Sequence, residues 1–394
     1  MVAATSRPAR VHIDVEAIRH NVATLSALVQ PSVMCAVVKA DAYGHGAISA
    51  ARAAIEGGAR WLGVAVVDEG LALRSAGIDV PILLLSEPPA EAMEDAQGGW
   101  LTPTLYTVAG VEAAARVARR GHRPWPVHLK VNTGMNRVGA DPADVVDLAR
   151  RVADSPTLVL EGMWTHLAVA DEPERLETAD QLDALGRAVG EVREAGIRPE
   201  MLHVANSAAA LVHPATRLDM VRCGVAIYGV APAPGLADGL DLRPAMTVCA
   251  EVSFVKRVRA GESISYGLRA TFERDTTVAT VPIGYADGVS RRLGETGGQV
   301  LLGGRRHDIV GSITMDQIMV DCGDHPVAVG DEVVLLGAQG SERILADEWA
   351  ARLGTIAYEV VCGFGPRLPR VVEEPAQPPV VVSARRTVTV VSPR

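Results

Sequence analysis

Through residue 242 the chain alternates between short apolar runs and longer stretches with apolar residues at helical spacing. Residues 11–14 alternate apolar and polar like a short strand; Ile18, Val22, Leu25 and Leu28 then line one face of a helix expected over 15–29. Eight further strands are predicted at 33–39, 61–66, 81–86, 103–106, 127–132, 158–165, 202–205 and 219–222. Between them, segments such as 68–76, 111–120 and 180–195 read as amphipathic helices. Strands alternating with helices imply a parallel sheet, and eight evenly strung units favour a closed (β/α)8 barrel over an open sheet.

Beyond residue 242 the pattern becomes strand-like, rich in valine and isoleucine, at 246–258, 276–282, 299–302, 308–320 and 331–336, with one helical piece at 346–353. The expected fold class is therefore α/β: an N-terminal barrel over 10–242 and a mostly-β domain over 243–372, joined through the Pro- and Gly-bearing segment 231–243. Residues 1–9 read as a loose tail, and 10–14 are free to pair with the second domain. The stretch 373–394 begins proline-rich and acidic and is expected to be a disordered extension, although its valine runs leave room for an added strand.

Composition narrows the function classes. A net charge of −9, without a basic stripe, argues against nucleic acid as a partner. No apolar run approaches the ~18 residues of a membrane span, and no apolar leader opens the chain. Five scattered cysteines with no CxxC pair suit a reducing cytoplasm and argue against a zinc site or a disulfide framework.

The chemistry begins with lysine scarcity. Of 38 basic residues only Lys39, Lys130 and Lys256 are lysines. A lysine kept in so arginine-rich a chain is a candidate for work that a guanidinium cannot do, Schiff-base formation above all, because a desolvated ammonium can lose its proton. The bland alternative is a lysine snorkelling from a strand end; Lys256 is assigned to the surface in that sense. Other polar residues gather where barrel strands end, which is where barrels collect function. They include Tyr43, Lys130, Arg137, His166, His203, Asn206, Ser207, Arg222 and Tyr228, with Gly224 and Val225 in the loop after the eighth strand. The loops after the seventh and eighth strands often bind phosphate in barrels. A Schiff-base lysine facing a phosphate site implies pyridoxal phosphate (PLP).

At this point the sequence resembles the alanine racemase family. The string 38–46 is similar to its PLP-lysine motif; 130–139, Thr165-His166, 203–208, 222–229, Ser265-Tyr266-Gly267, 284–288 and 312–316 resemble its other blocks, in order, over roughly 10–371. The resemblance implies a cytoplasmic homodimeric enzyme that uses PLP to interconvert L- and D-alanine, with D-alanine destined for peptidoglycan. It implies two catalytic bases, Lys39 on the D face and Tyr266 on the L face, with Tyr266 and Met315 supplied to the partner's site. It places Arg222 against the pyridine nitrogen, His166 between Arg222 and Tyr266, and Tyr43, Asn206, Ser207, Gly224, Val225 and Tyr228 around the cofactor. Arg137 and Met315 are implied at the substrate carboxylate, Tyr285 and Tyr358 as gate tyrosines, and Lys130 and Asp316 as supporting residues. Lys130 matches a lysine often carbamylated in the family. Three positions depart from the family pattern: Asn132 for the usual aspartate, Cys223 for proline and Trp164 for tyrosine.

Competing readings are a racemase of broader range, acting on serine or basic amino acids, a non-catalytic PLP-binding homeostasis protein, and a decarboxylase of the same fold type. The homeostasis proteins lack a second β domain, and the decarboxylases' cysteine-aspartate motif is missing near the end of this chain.

Overall fold

The computed structural model describes residues 7–121 and 123–373, so the expected extension lies outside the described residues from 374 onward. The first strand, β1 (Ala9–Asp14), alternates buried and less buried positions, and Asp14 ends it by accepting a 2.9 Å hydrogen bond from the Ala17 N–H at the start of the helix Val15–Leu28. The eight strands that follow are β2 (Val33–Val37), β3 (Trp61–Val64), β4 (Ile82–Leu84), β5 (Thr104–Leu105), β6 (Trp125–Lys130), β7 (Leu158–Trp164), β8 (Met201–His203) and β9 (Met220–Cys223). They form one parallel sheet in the order β4-β3-β2-β9-β8-β7-β6-β5.

The seam between β4 and β5 is bridged by Thr102, whose carbonyl accepts from Leu84 N at 2.9 Å and whose N–H donates to Ile82 O at 2.8 Å. The strand expected over 103–106 shortens to two residues. Pro103 has no N–H to offer a ladder, although its carbonyl still accepts from His128 N at 3.0 Å.

The barrel interior is partly polar. Cys35, Trp61, Leu83 and Met220 form a cluster apart from the main core. Trp61 lies against His128, His128 against His203, and His203 is stacked on Trp164.

The second domain contains β10 (Met246–Glu251), β11 (Phe254–Val258), β12 (Ser263–Ile264), β13 (Ala270–Thr271), β14 (Thr276–Val281), β15 (Gln299–Leu302), β16 (Arg305–Ile309), β17 (Ile318–Gly323), β18 (Glu332–Gln339), β19 (Glu342–Ile344) and β20 (Arg370–Glu373). The main sheet runs β11-β14-β17-β16-β15-β18-β10-β1-β20. The N-terminal strand therefore belongs to the second domain's sheet, antiparallel to β10 and parallel to β20. Arg7, within the expected tail, makes a two-pronged ion pair with the fully buried Asp287.

Two long expected strands are each broken. The stretch 246–258 splits where Val252 N turns to Asp331 O and Ser253 N to Thr280 O, so the chain changes partner strand. The stretch 308–320 splits around Gly311 (φ 70) and a turn in which Thr314 Oγ1 accepts from Gln317 N. That loop holds Met315. The helix Ala357–Cys362, which the pattern did not predict, follows the expected Ala346–Leu353 after a left-handed Gly354.

Candidate active site

Lys39 lies just past the end of β2, and the chain then does something unusual. Ala40, Asp41, Ala42 and Tyr43 all have left-handed backbones, with φ of 52, 51, 56 and 54. A left-handed L-residue costs about 1–2 kcal/mol, so the turn needs external support. Glu69 supplies part of it, one carboxylate oxygen accepting from Ala40 N at 2.6 Å and the other from Ala65 N at 2.8 Å. Asp41 accepts from Ala47 N at 2.7 Å. The buried His45 ring faces the Ala42 and Tyr43 carbonyls from Nδ1, each at 3.0 Å, so that nitrogen carries the proton. Arg370 Nε donates to Gly44 O at 3.1 Å, tying β20 to the turn. A side chain at Gly44 would meet Val361 O at 2.7 Å. The consequence is that Lys39 and Tyr43 both face one cavity.

That cavity has a volume of about 450 Å³ at the C-terminal end of the barrel strands. The expected residues Lys39, Tyr43, Lys130, Arg137, His166, Asn206, Ser207, Arg222, Gly224, Val225 and Tyr358 all line it, beside Trp164 and the unanticipated Ser86 and Leu85. Its lining carries four cationic side chains and no carboxylate. Burial lowers the Lys39 pKa, and Arg137 lowers it further. Lys130 is driven down to about 7, first by burial and then by Arg222, Arg137 and Lys39. A wall of this kind calls for an anionic occupant.

Arg222, at the end of β9, is fully enclosed and directed by its acceptors. Nη2 donates to the carbonyls of Thr165 and Val204, each at 2.9 Å, and to His166 Nδ1 at 3.3 Å; Nη1 donates to His203 Nδ1 at 2.8 Å. Because an arginine can only donate, His166 Nδ1 is bare and its Nε2 bears the proton. Burial, then Arg222, holds the His166 pKa well below the ordinary histidine value, so the ring is neutral. The Trp164 departure supplies a π face: Arg222 lies 4.4 Å and the Lys130 ammonium 4.3 Å from the ring centroid.

At the other end of the cavity the loops after β8 and β9 interlock. Asn206 caps the short helix Ser207–Val212, accepting from Ala209 N at 2.9 Å, and Ser207 Oγ accepts from Gly224 N at 2.9 Å. A Cβ built on Gly224 would lie 2.4 Å from Tyr43 Oη, so the tyrosine can close over that loop only because residue 224 is glycine. Tyr228 is buried behind this cradle rather than lining it, and its single O–H goes to Val37 O at 2.9 Å. The Cys223 departure is buried, and its thiol is pushed up to about 12 by burial.

The remaining expected residues lie elsewhere. Tyr266, Met315 and Tyr285 sit on the second domain, 74%, 52% and 43% exposed, and do not line the cavity of their own chain. They are nonetheless rigidly presented. Ser265 (φ 63) donates to Ser312 O at 2.7 Å while Ser312 returns a bond to Tyr266 O at 2.9 Å. Tyr285 N donates to Thr314 O at 3.0 Å and Ala286 N to Met315 O at 3.1 Å. Arg367 bonds Asp316 at 2.6 Å and lies 3.5 Å from Asp287, joining both loops to the Arg7 ion pair. Asn132 organises its own loop, accepting from Asn136 N and donating to Asn136 Oδ1, each at 2.9 Å.

The family model for the alanine racemase N-terminal domain matches residues 13–232, and that for the C-terminal domain matches 245–372. The chain belongs to the alanine racemase family. It is 47% identical to the alanine racemase of Symbiobacterium thermophilum over 92% of this chain and 97% of that one. Against the Thermobifida fusca alanine racemase the identity is 44%, with the same coverage. Among solved structures, the alanine racemase from the D-cycloserine-producing Streptomyces lavendulae superposes with a TM-score of 0.89 at 40% identity, covering 94% of this chain and 98% of that chain. Membership makes the chain an amino-acid racemase, an isomerase, and the barrel with its mostly-β companion is the alanine racemase fold.

Sequence reasoning missed Glu69, His45, Asp287, Arg367 and Arg370 as builders of this racemase site. Glu69, Arg367 and Arg370 act on loops distant in sequence, and His45 and Asp287, although they bond within their own turns, are matched there with backbone groups that leave no mark in the sequence.

Proposed function

We propose that the chain interconverts L- and D-alanine as a PLP enzyme, with Lys39 handling the proton on the D face and Tyr266 of the partner subunit the proton on the L face, and that its D-alanine serves peptidoglycan synthesis, as membership of the family implies. The observation that carries the reading is the cavity uniting Lys39 with three further basic side chains and a glycine-dependent cradle. Those residues fit the cofactor. Bound PLP would act as an electron sink that acidifies the substrate Cα proton.

The rest is work for the chain's own side chains. Ser207, Gly224, Val225, Tyr43 and Tyr358 surround the end of the cavity suited to the phosphate, with Asn206 fixing the loop and Tyr228 backing it. Lys39, with its lowered pKa, keeps a larger neutral fraction for attack and for proton abstraction than an exposed lysine. Arg222 would hold the ring nitrogen of the bound cofactor as a donor, and a guanidinium there would leave that nitrogen unprotonated. That choice of partner would make the cofactor a weaker electron sink than a carboxylate partner would.

His166 carries its proton on Nε2, directed away from Arg222, and is suited to donate to the phenolate of Tyr266 of the partner subunit, which eases loss of the tyrosine proton. The exposed and pinned Tyr266, Met315 and Tyr285 support a homodimer in which each second domain completes the other's cavity. In that arrangement Met315 and Arg137 hold the substrate carboxylate, Asp316 anchors the Met315 loop, and Tyr285 and Tyr358 gate the opening. Lys130, at about 7 and beside Arg137 and Arg222, is suited to carbamylation, which would place an anion between two guanidiniums.

The test is spectroscopic. PLP added to the purified chain should give a visible band that borohydride abolishes, with the label recovered on Lys39. Label on another lysine, or faster turnover of arginine or serine than of alanine, would overturn the assignment.

A further inference from the structure

Among the described residues the buried guanidinium of Arg222 makes no ion pair with a carboxylate, and a line of hydrogen bonds leads from it through the barrel to one. Arg222 Nη1 donates to His203 Nδ1 at 2.8 Å; His203 Nε2 lies 2.8 Å from His128 Nδ1; His128 Nε2 lies 3.2 Å from Glu161 Oε2. Both histidines are fully buried, whereas the Glu161 side chain is 23% exposed at the barrel wall.

The direction of every bond follows from its ends. Arg222 has no acceptor, so His203 Nδ1 is bare and Nε2–H must donate. His128 then accepts at Nδ1 and donates from Nε2 to the carboxylate. The backbone is built to permit this. The β6–β7 pairing skips a residue, running Val127↔Leu160 and then His128↔Gly162, so Glu161 is the unpaired residue of a bulge. Bulges re-aim side chains, and here the strand's outward residue reaches an interior histidine. A Cβ on Gly162 would lie 2.7 Å from His128 Nδ1, so the ring has room only because residue 162 is glycine. Trp61 and Trp164 pack against the two imidazoles. Lys130, over the Trp164 ring, His166, Cys35 and Cys223 are the other titratable groups that face this line.

We propose that Glu161, His128 and His203 form a one-directional relay of hydrogen bonds, anchored by an acceptor at the barrel wall, that positions Arg222. The functional part of this rests on the reading that Arg222 faces the cofactor ring. Glu161 and His128 are positioning residues, since neither lines the cavity.

Long-range ¹H–¹⁵N correlation on histidine-labelled apo-protein tests the relay without cofactor. His128 and His203 are each expected to carry a proton on Nε2 and to leave Nδ1 bare, as the bond directions require. A proton on Nδ1 of either overturns the proposal. In Glu161→Gln the amide oxygen still accepts, so the tautomers and PLP affinity should persist within about threefold. In Glu161→Ala the His128 signal should shift to mixed tautomers and PLP affinity should fall about tenfold, the loss expected for one buried hydrogen bond. The kcat should fall with KM for alanine little changed. Unaltered tautomers or affinity in Glu161→Ala would also sink the relay. Should Glu161→Ala fail to fold, the wild-type tautomers and the glutamine variant still decide. Failure of the wild type to take up PLP would count against the proposed function alone, because the tautomer pattern is read without it.

Discussion

Tyr43 Oη lies 2.4 Å from the point where a Cβ on Gly224 would stand. The left-handed turn that follows Lys39 and the loop that follows β9 thus meet at a position where only a hydrogen fits, and this contact closes the cavity opposite the lysine. The expected effect of Gly224→Ala is displacement of Tyr43, with PLP affinity down at least about tenfold and only a modest loss of stability. Titration of apo-protein by visible absorbance measures it. Adding Tyr43→Phe should recover part of the loss, a non-additivity that unrelated sites would not show.

The lysine pair makes the apo-protein pH-sensitive in a defined direction. Lys130 has a folded pKa of about 7, against about 10.4 in an unfolded chain. Between these values the unfolded state binds more protons, so stability rises with pH by at most about 1.4 kcal/mol per unit from this residue; the gain is lost as pH falls from about 10 to about 7, below which both states hold the proton and the slope vanishes. Urea melts of apo-protein at several pH values should show the slope, and Lys130→Met should flatten it. A neutral Lys130 amine should also take up ¹³C-bicarbonate and give a carbamate signal that the methionine variant lacks.

Shared sites predict complementation. Lys39→Ala and Tyr266→Phe chains are each expected to be nearly inactive alone. After subunit exchange, about half the dimers are mixed and each holds one intact site, so activity should return to about a quarter of wild type. Persistent inactivity after exchange has been verified by native mass spectrometry would rule out a shared site.

The platform carrying Tyr285 and Met315 depends on Asp287, which accepts from Arg7 at 3.0 and 2.6 Å and from Gly284 N at 2.9 Å. Asp287→Ala strands these donors and is expected to cost about 2–3 kcal/mol. Arg7→Ala leaves Gly284 satisfied and should cost less while raising KM for alanine, because the loosened loops are those offered to the partner. Thermal melts and steady-state kinetics on the two variants separate the effects.

All eight barrel strands and the helix Ala346–Leu353 were legible in the sequence, because strands buried on both faces read as short apolar runs and amphipathic helices as a period of 3.6. The breaks were not. Residues 308–320 look like one strand by composition, yet Gly311 and the Thr314–Gln317 turn divide it to expose Met315. Nor did any local pattern announce β20, which exists because β1 offers it an edge.

The same division holds for the site. The sequence by itself determined the cast: a lysine retained among arginines, the tyrosines, and the loops that resemble a racemase. Only the tertiary structure decided that four left-handed residues aim Lys39 and Tyr43 into one cavity. It also decided that Tyr228 spends its proton on Val37 and that Arg222 reaches a carboxylate through two histidines. Burial and hydrogen-bond direction depend on what folds against each group from distant parts of the chain, and no window of neighbouring residues contains that information.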